Sequence, residues 1–268
     1  MRYLNGIELA GYIQNRHLHQ VRSLRQSKGV GPRLAIIVCN NDPVIKTYVS
    51  CKQQYGQNIE ALVDVYDVNQ SEVPNLVQKL NKNKKVHGII IQLPLSNKEQ
   101  TDGILSLINP KKDIDGLTKK SIWDPATPTA ILWLLAGHNI ELKNKKVVIV
   151  GQGRLVGAPL RLMLRASGVE ILVVDAKTKN PNRIISQAQV LITATGKPGI
   201  INASMVPKNC VVIDAGTASE NGVIKGDLAG DVYLRQDLTI TPKTGGVGPL
   251  TISALFENLI RAARQQAS

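Results

Sequence analysis

Three separated stretches carry the residue types of a reactive site: Tyr48-Val-Ser-Cys-Lys52, Ile91-Gln92-Leu-Pro-Leu95, and Thr241-Pro-Lys-Thr-Gly-Gly-Val-Gly-Pro-Leu-Thr251. Together they read as one composite active site. Tyr48 and Lys52 stand four residues apart, a spacing that puts both on one face of a helix, although an ordinary surface pair shares it. A lysine that is partly desolvated or near a cation has a lowered pKa, which frees its amine to act as a base or to activate water.

A fourth stretch, Gly151-Gln-Gly-Arg-Leu-Val-Gly157, follows an apolar run and precedes a helical pattern, the context in which a glycine-rich turn holds a dinucleotide. Gly151 permits the tight turn, and Gly153 lets the backbone approach a pyrophosphate. The helix that follows offers unpaired N–H groups to the negative charge. Gly157 falls one residue later than the commonest spacing, so a purely structural turn remains an alternative. Asp175 lies about twenty residues on, where an acidic residue bonds the ribose hydroxyls; a helix N-cap is the competing role. Such a carboxylate repels a phosphate on the ribose 2′-hydroxyl and favours NAD, while Arg154 and Lys177 keep NADP open.

The elements needed to position these residues are readable from the apolar pattern. Ile7, Leu9, Ile13, Leu18, Val21 and Leu24 recur at helical intervals over residues 6–27. Buried strands are expected at 33–40, 61–68 and 86–93, with helices at 43–57 and 71–83 between them. A second series of strands begins at 146 and continues near 170–176, 189–195, 210–216 and 238–242. Pro110, Pro125 and Pro128 mark the crossing between the series, and a helix at about 128–138 follows. A closing helix after Pro249 is expected to have Thr251 as its N-cap. The fold class is therefore α/β, with parallel strands covered on both faces.

Composition narrows the function. The 268 residues suggest two domains of ordinary size. With 43% hydrophobic and 20% charged residues the chain is globular. The net charge of +13 is compatible with nucleic acid, anionic membranes, anionic small molecules or a solvated surface. Aromatics at 3% and scattered lysines argue against nucleic acid. Cys39, Cys51 and Cys210 suggest neither a disulfide framework nor, with the four histidines, a metal site. No secretory core and no membrane-spanning run is apparent, so a cytoplasmic protein is expected.

The chain resembles the bifunctional methylenetetrahydrofolate dehydrogenase and methenyltetrahydrofolate cyclohydrolase family over essentially its whole length. The resemblance rests on Tyr48-Val-x-x-Lys52, Gln92-Leu-Pro-Leu95, Asp113-Ile-Asp115-Gly116, Thr127-Pro128, Gly151-x-x-x-x-Val-Gly157-x-Pro159, Ala194-Thr-Gly196-Lys-Pro198 and Gly245-Gly-Val-Gly-Pro249, in the family's order. It implies an N-terminal α/β substrate domain over 1–120, completed by a C-terminal helix at 250–268. It also implies a Rossmann-like doubly wound NAD(P)-binding domain over 121–249. The implied reactions are oxidation of a methylene-bridged tetrahydrofolate with NADP or NAD and hydrolysis of the methenyl product, with a cyclohydrolase lacking dehydrogenase activity as the alternative.

By the same resemblance Lys52 manages protons in hydrolysis, Gln92 orients it, Tyr48 packs on the folate ring, and Asp115 grips the pterin. These four are the expected catalytic residues. Leu93, Pro94, Gly245, Gly246 and Pro249 complete the expected folate contacts, and Gly248 adds backbone freedom. The expected cofactor contacts are Gly151, Gln152, Gly153, Arg154, Val156, Gly157, Asp175, Ala194, Thr195, Gly196 and Thr217. A homodimer formed through the cofactor domain is implied as well.

The chain also departs from the family. Ile45 stands where a serine is usual, Ala126 replaces a cysteine, and Lys243-Thr244 replace Val-Pro. Gln152 and Gly153 replace the Arg and Ser that help hold the 2′-phosphate of NADP, and Ala176 replaces a small hydroxyl residue. The last three changes favour NAD.

Overall fold

The apolar runs at 88–91, 147–150 and 190–193 are buried at every position, as parallel strands covered on both faces require. The computed structural model describes residues 1–40, 42–220 and 223–267. The elements up to residue 137 are β1 (Arg2–Tyr3), α1 (Gly6–Lys28), β2 (Arg33–Val38), α2 (Pro43–Asn58), β3 (Leu62–Asp67), α3 (Val73–Lys82), β4 (Gly88–Ile91), α4 (Thr101–Leu105) and α5 (Ala126–Gly137). Then follow β5 (Val147–Val150), α6 (Gly157–Ala166), β6 (Ile171–Val174), α7 (Pro181–Ile185), β7 (Val190–Thr193), β8 (Val211–Asp214), β9 (Ala218–Glu220), β10 (Val223–Lys225), β11 (Thr239–Ile240) and α8 (Val247–Gln266).

The chain forms two compact units. The first comprises Gly11–Ala126 with Ile252–Ser268, and the second Met1–Ala10 with Thr127–Thr251. In the first unit a parallel sheet runs β3-β2-β4. Ala35, Ile37, Val77, Ile89 and Ile91 belong to one buried cluster there. In the second unit a parallel sheet runs β1-β11-β8-β7-β5-β6, and Val148, Leu191, Val212 and Ile240 lie in its core. β9 and β10 pair separately and antiparallel.

Residues 1–10 pack with the second unit, because β1 extends the six-stranded sheet: Arg2 N–H donates to Leu238 O at 2.9 Å and Leu4 N–H to Ile240 O at 2.8 Å. The chain passes into the second unit at Thr127. The last helix starts at Val247, so Thr251 is inside it and not its N-cap; its Oγ1 donates back to Val247 O at 3.2 Å. Pro249 is compatible with the first turn, where a missing N–H costs no intrahelical bond.

Among the described residues no helix is long and apolar enough to cross a membrane. Cys39, Cys51 and Cys210 are free.

Candidate active site

In the first unit three of the expected reactive residues, Lys52, Gln92 and Asp115, come together near the C-terminal end of β4. Helix α2 opens on Asp42, whose Oδ1 accepts from Val44 N–H at 2.8 Å, with Pro43 at its first position. One face of α2 buries Ile45, Val49, Lys52, Tyr55 and Gly56. Ile45 thus points into the core, where the family's serine would have been a polar group. Tyr48, a turn before Lys52, is half-buried.

The lower end of the helix is held by a polar cluster. Tyr55 Oη lies 2.9 Å from His17 Nδ1, and His17 Nε2 lies 3.0 Å from Glu257 Oε2. Tyr55 also stacks on Phe256 of α8. Burial pushes the Tyr55 phenol up to about 12, so it remains a neutral partner. These contacts fix the rotation of α2 and with it the direction of Lys52.

Lys52 is 8% exposed and its Nζ donates to Gln92 Oε1 at 2.6 Å. Gln92 follows β4 directly, with its N–H donating to Ile37 O at 2.9 Å. Leu93 is half-buried, and Pro94 is exposed after a cis peptide bond. Burial pulls the Lys52 amine below the ordinary lysine value, and the charge of Asp115 works against this. Burial likewise raises the Asp115 carboxyl, opposed by Lys52 and reinforced by Asp113. An amine that is easier to deprotonate, fixed by a neutral acceptor, is suited to taking a proton from water.

The loop carrying Asp115 is pinned on several sides. Asp113 is buried and accepts from Thr118 N–H at 2.9 Å. Asn258 of α8 donates to both Ile114 O and Asp124 O at 2.9 Å. Gly116 takes φ 70°, and a Cβ there would come within 2.7 Å of the Pro125 nitrogen. Lys112, also buried, caps the end of α3 through Leu80 O, Asn81 O and Asn83 O.

The Lys52–Gln92 contact yields a pH prediction. Gln92→Glu places a second carboxylate beside Nζ and stabilises the ammonium form. Any rate that needs the neutral amine should then show its rising limb displaced to higher pH by roughly one pH unit or more. An unchanged pH–rate profile of Gln92→Glu would show that Lys52 deprotonation does not govern the rate.

In the second unit the glycine loop has a shape suited to a pyrophosphate. Gly151 takes φ 99°, and a Cβ there would collide with Ala194 O. A Cβ on Gly157 would collide with Gly151 O, so the third glycine closes the turn. Gly153 is exposed, with Ala194 O 3.9 Å from where its Cβ would stand. Helix α6 starts at Gly157 behind Val156, which supplies no side-chain cap. Open backbone at Gly153 and an uncapped helix start fit a dinucleotide phosphate. Gln152 folds back, donating from Nε2 to Gly151 O at 2.8 Å, and Arg154 is exposed.

Asp175 follows β6 and is exposed. Its Oδ1 accepts from Thr178 Oγ1 and from Lys177 N–H, both at 2.9 Å, and these bonds hold its carboxyl below the usual range. It opens a turn and does not cap a helix; Asn180 precedes α7. Ala194, Thr195 and Gly196 follow β7, and Thr217, exposed, follows β8. Gly245 and Gly246 have a packing reason within their own unit. Gly6 N–H donates to Gly245 O at 2.9 Å, and a Cβ on Gly245 would reach Ile7 Cδ1 at 2.5 Å. Pro249 is half-buried in α8.

Two residues of this unit escape sequence reasoning, Asp214 and Asp227. Asp227 is wholly buried and accepts from Thr195 and Lys197 N–H. Their signal is the pair Gly216 and Gly226, where a Cβ would collide with the Asp227 and Asp214 carboxylates respectively.

Parallel α/β units with a buried lysine bonded to a half-buried glutamine in one and a phosphate-type glycine loop in the other define a dinucleotide-binding enzyme. Residues 4–115 match the catalytic domain of tetrahydrofolate dehydrogenase/cyclohydrolase, and residues 125–267 match the NAD(P)-binding domain of the same family. A Bifunctional protein FolD from Lactobacillus helveticus is 33% identical over 99% of this chain and 98% of its own. The crystal structure of the bifunctional enzyme FolD, methylenetetrahydrofolate dehydrogenase/cyclohydrolase, from Campylobacter jejuni has TM-score 0.90 and 33% identity over 99% of both chains. The Trypanosoma brucei dehydrogenase-cyclohydrolase, complexed with NADP and an inhibitor, has TM-score 0.91 and 28% identity, covering 98% of this chain and 97% of its own. The chain belongs to the tetrahydrofolate dehydrogenase/cyclohydrolase family.

Proposed function

We propose that this chain oxidises 5,10-methylenetetrahydrofolate to the 5,10-methenyl form with a nicotinamide dinucleotide and hydrolyses that product to 10-formyltetrahydrofolate. The observation that carries the reading is the buried Lys52 amine, 2.6 Å from Gln92 Oε1 and acted on by Asp115, in a chain that also holds a phosphate-type glycine loop. The Lactobacillus helveticus and Campylobacter jejuni relatives are named as bifunctional, which does not favour a hydrolase without dehydrogenase activity.

Bound dinucleotide supplies the hydride acceptor; Gly151, Gly153, Val156 and Gly157 hold its pyrophosphate, with Ala194, Thr195, Gly196 and Thr217 beside them. Folate binding falls to Tyr48, which stacks on the ring system, and to Asp115, whose carboxylate accepts the pterin's adjacent N–H donors. Leu93 and Pro94, with Gly245, Gly246 and Pro249, add contacts to the folate. In hydrolysis neutral Lys52 takes a proton from water as the oxygen attacks the methenyl carbon. The bond from that carbon to one folate nitrogen then breaks as that nitrogen takes the proton back from the Lys52 ammonium, and the remaining hydroxyl proton leaves as the formyl C=O forms. Gln92 keeps the amine aimed throughout.

NAD is preferred over NADP in this reading. Asp175, kept ionised by its Thr178 and Lys177 bonds, repels a 2′-phosphate. Gln152 spends its side chain on Gly151 O, and Ala176 offers no hydroxyl. The expected result is a higher kcat/KM with NAD, measured by initial rates; a strong preference for NADP contradicts the assignment. A homodimer through the second unit fits β6, which pairs with β5 alone among the described strands, and the 61% exposed Leu162 on α6. Sedimentation at twice 29.1 kDa tests it.

A further inference from the structure

Asp214 and Asp227 form one buried polar cluster at the ends of β7 and β8. Asp227 Oδ2 accepts from Thr195 N–H at 2.7 Å and Oδ1 from Lys197 N–H at 3.0 Å, so a single carboxylate clamps both sides of Gly196, which takes φ 66°. Asp214 in turn fixes Asp227. Its Oδ1 accepts from Asp227 N–H at 3.0 Å, Gly216 N–H at 3.0 Å and Thr193 Oγ1 at 3.1 Å, and Oδ2 accepts from Leu228 N–H at 3.1 Å. No side chain fits between them, since a Cβ on Gly216 or Gly226 would strike a carboxylate.

The clamped loop is the surface on which the phosphate loop rests: a Cβ on Gly151 would collide with Ala194 O. A wholly buried carboxylate is costly without donors. The donors to Asp227 are backbone N–H groups of Thr195 and Lys197, which meet it only when the loop takes this shape. The carboxylate therefore selects one conformation of a glycine-containing loop that has several available.

We propose that Asp227, itself held by Asp214, is a positioning residue for the dinucleotide. It fixes Ala194–Lys197 against Gly151 so that the cofactor meets a preformed surface. The inference rests on the reading of 151–157 as the dinucleotide loop. Asp227→Asn is nearly isosteric but offers one acceptor and an NH2 to two facing N–H groups, so one of the two loop bonds is lost.

The test is titration of purified parent and Asp227→Asn with NADH and NADPH by nicotinamide fluorescence, with initial rates and thermal unfolding. The expected result is a rise of about tenfold in dinucleotide Kd and KM, with kcat at saturating dinucleotide changed less than about threefold. A Kd within twofold of the parent overturns the inference. So does a parallel fall of kcat, methenyl hydrolysis and unfolding temperature, which marks a purely structural residue. If Asp227→Asn does not fold, Gly216→Ala displaces the carboxylate without removing it and must show the same raised Kd. A parent that binds neither dinucleotide defeats the reading of the glycine loop and the inference together. Parent binding with unchanged variants defeats the inference alone.

Discussion

Lys52→Met is expected to slow methenyl hydrolysis by about 10²–10⁴-fold, the range lost with a positioned general base, while raising the unfolding temperature at neutral pH. The two effects share one cause. Burial lowers the pKa of Lys52 in the folded chain below its usual 10.5. Between the folded value and 10.5 the unfolded chain binds more protons than the folded one, so stability increases with pH across that window. Below the window the full cost of burying this amine is present, and above 10.5 it has vanished. Methionine keeps the volume and removes the cost. The gain in unfolding temperature should be largest near neutrality and shrink as pH approaches 10.5. The orphaned Gln92 Oε1 offsets part of it, but Gln92 is only half-buried and can turn to water. A variant that is less stable at pH 7, or that hydrolyses at near-parental rate, would show that the amine is a structural group.

Gly157→Ala should cut dehydrogenase kcat/KM by about 100-fold, the cost of roughly an ångström of misplacement in a bound reactant. The added Cβ would collide with Gly151 O and lie 2.8 Å from Gly151 C and 3.1 Å from Gln152 Cα. All three atoms are backbone of the phosphate loop, so no side-chain rotation relieves the clash and the loop must move. Hydrolysis of supplied methenyl substrate should fall far less, because Lys52, Gln92 and Asp115 are held by contacts within the first unit. Dehydrogenase activity within threefold of the parent, with unchanged dinucleotide KM, would mean that 151–157 is a structural turn.

The contrast between these loops and the strands explains what was readable in the sequence. β2, β4, β5, β7 and β8 announce themselves as unbroken apolar runs because both faces of a parallel sheet are covered. The helices α1 and α2 follow from spacing alone. β1 does not: Arg2 and Tyr3 are exposed, and the strand exists through backbone bonds to a segment more than 230 residues away, which no local pattern encodes. The antiparallel pair β9 and β10 and the short helices α4 and α7 leave no signal for a related reason, since three to five residues carry too little periodicity. The start of α8 lies earlier than the sequence suggests because Pro249 reads as a residue before the helix, whereas α8 takes it at its third position, where a missing N–H breaks no intrahelical bond.

Among the proposed site residues, Lys52, Gln92 and Asp115 are named by the resemblance, and Lys52 Nζ lies 2.6 Å from Gln92 Oε1. Asp227 could not be found by motif, because its partners Thr195 and Lys197 lie 32 and 30 residues away and donate from the backbone. Side-chain identity at those positions carries no trace of the contact.

The most direct test of the account is an initial-rate assay of the purified chain with 5,10-methylenetetrahydrofolate, run with NAD and with NADP while methenyl absorbance is followed. The account predicts dinucleotide reduction, faster with NAD, and a methenyl signal that rises and then decays, the decay being lost in Lys52→Met. No reduction of either dinucleotide, with methenyl hydrolysis intact, would contradict it.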